Sequence, residues 1–144
     1  MKDEVIEKLL LTASDYRKRA YAPYSGFRVG AAVESASGRV YGGCNIENMS
    51  YGLTVCAERN AVFCAVSEGE DGIRRVAVVT SEIDLSVPCG ACWQVLIEFG
   101  RDMQVLCCDT SGSFKELKLR DIPENFDKSG LFRGRLDKFD KNPD

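Results

Sequence analysis

Three cysteines and one glutamate stand out by residue type and spacing. Cys56 is followed two residues later by Glu58, and Cys89 and Cys92 are three apart in Pro88-Cys89-Gly90-Ala91-Cys92. The chain contains no histidine, so a zinc ion here would rely on sulfur or carboxylate ligands. Three thiolates leave the fourth position of a tetrahedral ion to water, which marks a catalytic site; structural sites are closed by four ligands. Glu58 beside that water is placed to take its proton as a general base.

The spacing dictates how these groups must be held. Cys89 and Cys92 at the start of a helix share one face, with roughly 5–6 Å between Cβ atoms. Two thiolates on one zinc, each at ~2.3 Å, need sulfurs slightly under ~4 Å apart, so the pair fits. A helix N-terminus also favours the thiolate through its dipole and free amides. Cys56 and Glu58 are about 200° apart around a helix and converge only on a target beyond its N-terminal end. Two helix N-termini must therefore meet at one metal. Three thiolates and a hydroxide on Zn²⁺ would carry net negative charge; Arg59, three residues after Cys56, can hydrogen-bond a thiolate and offset it. The alternative for Arg59 is a solvent-exposed helix residue.

The elements around these motifs follow from periodicity and turn chemistry. Val5/Ile6, Leu9/Leu10, Ala13, Tyr16 and Ala20 predict a helix over 3–20, which must stop before Pro23. An aromatic loop, Tyr21 to Phe27, leads to a strand over 27–34. A turn at 35–38 returns the chain as a hairpin over 39–44. Residues 45–51 are aperiodic. Thr54 suits the N-cap of a helix over 55–68 ended by Gly69. Arg75 to Thr80 and Met103 to Cys108 read as buried strands. A helix runs between them from Pro88-Cys89-Gly90 to Gly100, and 114–119 returns as a half-exposed antiparallel strand. This order predicts one α/β domain over 1–126. It is a three-layer α/β/α sandwich with a mixed five-stranded sheet, and a charged C-terminal tail follows over 127–144.

A chain of 144 residues with 44% hydrophobic and 28% charged content suits one soluble globular domain. No apolar run approaches the roughly 20 residues needed to cross a bilayer. Met1-Lys2-Asp3-Glu4 is no signal-peptide start, so a cytoplasmic setting is expected. A net charge of −3 argues against a nucleic-acid polymer as partner and for a small molecule. Seven cysteines are an odd number, against a pure disulfide framework. Cys64, Cys107 and Cys108 read as small buried hydrophobes.

Cys56-Ala57-Glu58-Arg59 followed by Pro88-Cys89-Gly90-Ala91-Cys92 resembles the zinc nucleoside deaminases. With Tyr21-Ala22-Pro23-Tyr24-Ser25-x-Phe27-x-Val29-Gly30 and Asn45-x-Glu47-Asn48, the chain is similar to the small homotetrameric cytidine deaminases from about Tyr21 to Phe126. The resemblance implies hydrolysis of cytidine or deoxycytidine to the uridine and ammonia, the chemistry of pyrimidine salvage. One zinc per chain would sit on Cys56, Cys89 and Cys92, its hydroxide attacking C4 of the pyrimidine. Glu58 would pass the water's proton to N3 and then to the leaving amine. The Ala57 amide would contact the base carbonyl, Phe27 would stack on the base, and Asn45 and Glu47 would grip a ribose hydroxyl. Tyr51 and Phe126 would lie at a subunit boundary, so that sites are shared within a homotetramer. The family usually has arginine directly after the second CxxC cysteine; this chain has Trp93, which places more of the charge balance on Arg59.

Rival readings make different demands. A structural zinc module needs a fourth ligand from Cys44, Cys64 or Cys108. A deaminase of another aminated heterocycle, such as a blasticidin S-type nucleoside, does not require Asn45 and Glu47. A polynucleotide editor needs a basic patch. A CxxC redox protein explains neither Cys56 nor Glu58.

Overall fold

A computed structural model describes residues 3–122; Phe126 and the segment 127–144 lie outside the described residues. The chain forms α1 (Glu4–Arg17), β1 (Gly30–Ser35), β2 (Val40–Cys44), α2 (Ala57–Ser67), β3 (Ile73–Thr80), α3 (Gly90–Phe99), β4 (Gln104–Asp109) and β5 (Phe114–Lys118). Short 3-10 turns occupy Tyr51–Leu53, Ile83–Ser86 and Leu119–Asp121. The strands make one five-stranded sheet in the order β2-β1-β3-β4-β5. Among the described residues, β3 and β4 pair in parallel and the other three strand ladders are antiparallel. The expected α/β class with a mixed sheet is the fold observed.

Alternation along the strands separates the helical layers. Ala31 and Val33, Val76 and Val78, Val105 and Cys107 face α2 and α3, with Trp93 and Leu96 packed on them. Their neighbours Ala32, Ala77, Val79, Leu106 and Cys108 face α1 through Leu9 and Ala13. A strand shows successive side chains to opposite faces, so an apolar run such as Val76 to Val79 is buried on both sides. Cys107 and Cys108 are buried, as the sequence suggests.

Several boundaries differ from expectation, each for a local reason. The first helix ends at Arg17, with Lys18 as its C-cap. The first strand begins at Gly30, because the preceding residues are held by side chains: Val29 N–H donates to Asn45 Oδ1 at 2.8 Å. Thr54 does not cap α2. Val55 is still extended, exchanging two backbone hydrogen bonds with Ile46, and the cap position passes to Cys56. Cys64 is exposed, not buried. α2 buries Ala57, Glu58, Ala61, Val62 and Ala65, and the apolar run around Cys64 hides that face in the sequence.

Gly43 on β2 sets how closely α2 can approach. A Cβ there would lie 2.4 Å from Ala61 N and 2.7 Å from Ala57 O, closer than any real contact. The missing side chain lets the first turn of α2, with its site residues, lie directly on the sheet.

Candidate active site

Cys56 and Cys89 are the N-cap residues of α2 and α3. Both have extended backbone, with φ −71° and −70°. Cys92 lies one turn into α3 and is buried. The three sulfurs all lie within 4.8 Å of one another, a group that could hold a metal ion; Cys56 Sγ and Cys89 Sγ are 3.9 Å apart. Sulfurs on a tetrahedral zinc with ~2.3 Å bonds sit at about that separation. The donor set therefore fits zinc, and the two helix ends meet as the spacing required. Among the described residues, Cys44, Cys64 and Cys108 do not join this group, so the fourth ligand of a closed structural site is not supplied by them.

The shared sulfur contacts favour thiolate at Cys89 and disfavour it at the other two, raising Cys56 first through Cys89. Hydrogen bonds from the Cys56 and Cys92 thiols, with the Cys92 and Ala91 amides, hold Cys89 far below the usual thiol range. The same contacts, first that with Cys56, push Cys92 up. Arg59 is half-buried rather than solvent-facing, and its guanidinium donates to Cys56 Sγ at 3.5 Å. That contact raises the Arg59 pKa further and keeps its charge in place.

Glu58, in the first turn of α2, is only 5% exposed. Burial, followed by the nearby Cys89 sulfur, pushes its carboxyl up to about 7. Such a group can both accept and release a proton at neutral pH.

A cavity of about 310 Å³ opens beside the sulfurs, within the range of small-molecule sites. The metal-side wall is Cys56, Ala57, Glu58 and Cys89. The loop residues Ser25, Phe27 and Val29 also line it, with Asn45 and Glu47. Tyr51, Thr54, Leu85 to Val87 and Val78 of β3 complete the lining. Every expected site residue within 3–122 except Cys92 and Arg59 lines this space, and those two touch the sulfur cluster. Phe126 lies outside the described residues.

Asn45 and Glu47 are buried, and their side chains hold the aromatic loop. Asn45 Nδ2 donates to Phe27 O at 2.8 Å while its Oδ1 receives Val29 N–H. Glu47 Oε1 accepts from the amides of Tyr24 and Ser25 at 2.9 and 3.1 Å, and Oε2 from the Ser25 hydroxyl at 2.5 Å. These bonds, first that from Ser25, hold the Glu47 carboxyl below its ordinary range. Phe27 is half-buried against the cavity and not in the core. Sequence reasoning missed Ser25 and the Leu85–Val87 wall. The first stands in the Tyr21-to-Gly30 motif with no role of its own assigned, and the second has no periodicity to mark it.

Trp93 is 8% exposed, packs among the α2/α3-side core, and its Nε1 donates to Leu119 O at 2.7 Å.

Residues 3–108 match the model of the cytidine and deoxycytidylate deaminase zinc-binding region. A cytidine deaminase of Sporosarcina psychrophila is 42% identical over 128 residues, 88% of this chain and 94% of that protein. A probable cytidine deaminase of Dictyostelium discoideum is 41% identical over 133 residues, 91% of this chain and 90% of that one. Among solved structures, the cytidine deaminase of Burkholderia pseudomallei superposes with a TM-score of 0.76 at 41% identity, covering 81% of this chain and 94% of that chain.

Proposed function

We propose that this chain, which belongs to the cytidine and deoxycytidylate deaminase zinc-binding family, hydrolyses cytidine and deoxycytidine to uridine and deoxyuridine with release of ammonia. The observation that carries the reading is the meeting of three sulfurs and a buried carboxyl beside a cavity lined otherwise by apolar and polar groups and the Glu47 carboxyl. Zinc, one ion per chain on Cys56, Cys89 and Cys92, supplies the Lewis acidity that makes water a nucleophile near neutral pH.

The chain's own groups do the rest. Glu58 takes a proton from the attacking water and delivers it to N3 of the pyrimidine. The second proton passes by the same carboxyl to the exocyclic amine, the C4–N bond breaks, and ammonia leaves. Arg59 offsets thiolate charge that would otherwise weaken the metal as an acid. Ala57 is the first residue of α2, where an amide has no intrahelical acceptor, so its N–H is free for the base carbonyl. Phe27 stacks on the base, and Asn45 and Glu47 bind the sugar. No lysine or arginine lines the cavity among the described residues, which suits an uncharged nucleoside better than a phosphorylated one. Nothing observed favours the blasticidin S-type alternative.

Tyr51 and Leu53 are each 67% exposed and Met49 85%, an apolar rim that suits a subunit boundary. The working form is a cytoplasmic homotetramer, serving pyrimidine salvage, with Tyr51 and Phe126 completing sites across that boundary.

The test is the ultraviolet loss of cytidine and deoxycytidine with purified, zinc-loaded protein, beside Glu58→Gln. The variant keeps its zinc and loses about 10²–10⁴-fold in kcat. Metal-replete protein inert on both nucleosides would overturn the substrate, and persistent turnover by the variant would overturn the proton shuttle.

A further inference from the structure

Ser25 lies on the cavity rim and is itself exposed, yet its hydroxyl joins two groups that face the cavity. Its Oγ accepts the Phe27 N–H at 3.0 Å and lies 2.5 Å from Glu47 Oε2. A serine hydroxyl has one proton. The Phe27 amide can only donate, so that proton goes to Glu47. Oε1 of the same carboxylate already takes two amide protons, from Tyr24 and Ser25. All three contacts therefore donate into Glu47 and favour its ionised form, holding the carboxyl below its ordinary range. A carboxylate offers about four acceptor positions; with three taken by the loop, one is left. The free position accepts and cannot donate, so the ligand group it suits is a hydroxyl.

We infer that Ser25 is a positioning residue: it holds Glu47 as an oriented, acceptor-only carboxylate for a sugar hydroxyl and ties that carboxylate to the backbone of Phe27. A bare loop staple is the simpler role, but it gives no reason for an exposed hydroxyl to turn inward onto a buried carboxylate that lines the cavity. The inference rests on the assignment of Glu47 to the sugar.

The experiment compares cytidine with 2′,3′-dideoxycytidine in zinc-loaded wild type, Ser25→Ala and Ser25→Thr. Ser25→Ala is expected to raise KM for cytidine by about 10- to 100-fold, the worth of one hydrogen bond to a charged group. Its kcat should change by much less, and KM for the dideoxy substrate should hardly move. Ser25→Thr, which keeps the hydroxyl, restores the cytidine KM. The pH below which cytidine affinity is lost moves upward in Ser25→Ala, because the carboxylate loses a donor.

Equal losses on both substrates, or a Ser25→Thr protein as impaired as Ser25→Ala, would overturn the inference. Should the alanine protein not fold, Ser25→Cys replaces it, a weak donor of similar size, and an unchanged cytidine KM there overturns it too. Failure of the underlying reading shows separately: wild type would then lack activity on cytidine, or would not discriminate it from the dideoxy substrate.

Discussion

Cys56 and Cys89 occupy the same structural position on two different helices: each is an N-cap with extended backbone, and their sulfurs lie 3.9 Å apart. An N-cap side chain normally accepts a hydrogen bond from its own helix; Cys56 does not, whereas the Cys89 sulfur draws on the Ala91 and Cys92 amides of α3. Both caps are turned toward a common point. The amides and positive dipole ends of the two helices favour negative charge there.

The metal is therefore expected to depend on both helix ends. Wild type should bind about one zinc per chain by elemental analysis, and Cys56→Ala and Cys89→Ala should each fall far below that. Arg59→Ala touches no metal, yet it removes the donor to Cys56 Sγ. Loss of such an outer partner typically costs 10–100-fold in metal affinity or activity. A chelator competition assay reads the difference, and an Arg59→Ala protein with unchanged zinc affinity and turnover would exclude the charge-balancing role.

Gly43 carries a second expectation. Any Cβ at this position meets the backbone of α2 at Ala61 N and Ala57 O, and backbone cannot step aside as a flexible side chain can. Gly43→Ala should therefore destabilise the fold by about 1–3 kcal/mol or more. It should also lower activity, because Cys56, Ala57 and Glu58 move with the helix start. Thermal melting and kcat/KM measured together check this. Gly112→Ala is the control: its Cβ meets nothing, although its φ of 93° strains any side chain, so it should cost stability without touching turnover.

How much of this was legible without coordinates depends on the kind of signal. The sulfur trio and Glu58 could be read because cysteine pairs at helical spacing have few other uses and because an i, i+2 pair can meet only beyond a helix end. Strands 3 and 4 were plain as apolar runs such as Val76 to Val79. The start of α2 was not. Thr54 has the chemistry of a cap, and the bridge from Val55 to Ile46 that displaces it is a contact between segments distant in sequence. The hold of Asn45 and Glu47 on the Phe27 loop was hidden for the same reason, since their hydrogen bonds span 16 to 23 residues.

Acid should loosen the attachment of α1. Asp3 caps that helix through Val5 N–H and pairs with Arg75 at 2.8 Å, while Arg75 Nε reaches Glu34 on β1 at 3.2 Å. The Arg75 contact is the first cause that lowers the Asp3 carboxyl below its ordinary 3.8. A carboxyl with a depressed folded pKa adds stability that is fully present above the unfolded value. That stability is lost as pH falls through the folded value. Asp3→Ala should therefore lower stability at pH 7, through loss of both the cap and the Arg75 contact. The gap to wild type should narrow as pH drops below 3.8. Denaturant melts of both proteins at neutral and acidic pH measure the gap, and one that widens in acid would contradict the linkage.

Trp93 offers the sharpest contrast with the family pattern, in which an arginine usually follows the second CxxC cysteine. Here the side chain is a core element: 8% exposed, packed with Leu96 and Ile97, its indole N–H on the Leu119 carbonyl. Trp93→Phe keeps most of the apolar contact but leaves a carbonyl without that donor, at a cost of about 1–3 kcal/mol. Trp93→Arg must place a charge where the indole lay, or eject the side chain and open a cavity. Either route should cost more than the phenylalanine change. If Trp93 acted mainly on the metal, arginine would be the gentler substitution and would strengthen zinc binding. Burial gives the opposite order: wild type most stable, then Trp93→Phe, then Trp93→Arg, with zinc content per folded chain unchanged in the phenylalanine protein. Melting temperatures of the three proteins with parallel zinc analysis separate the two accounts.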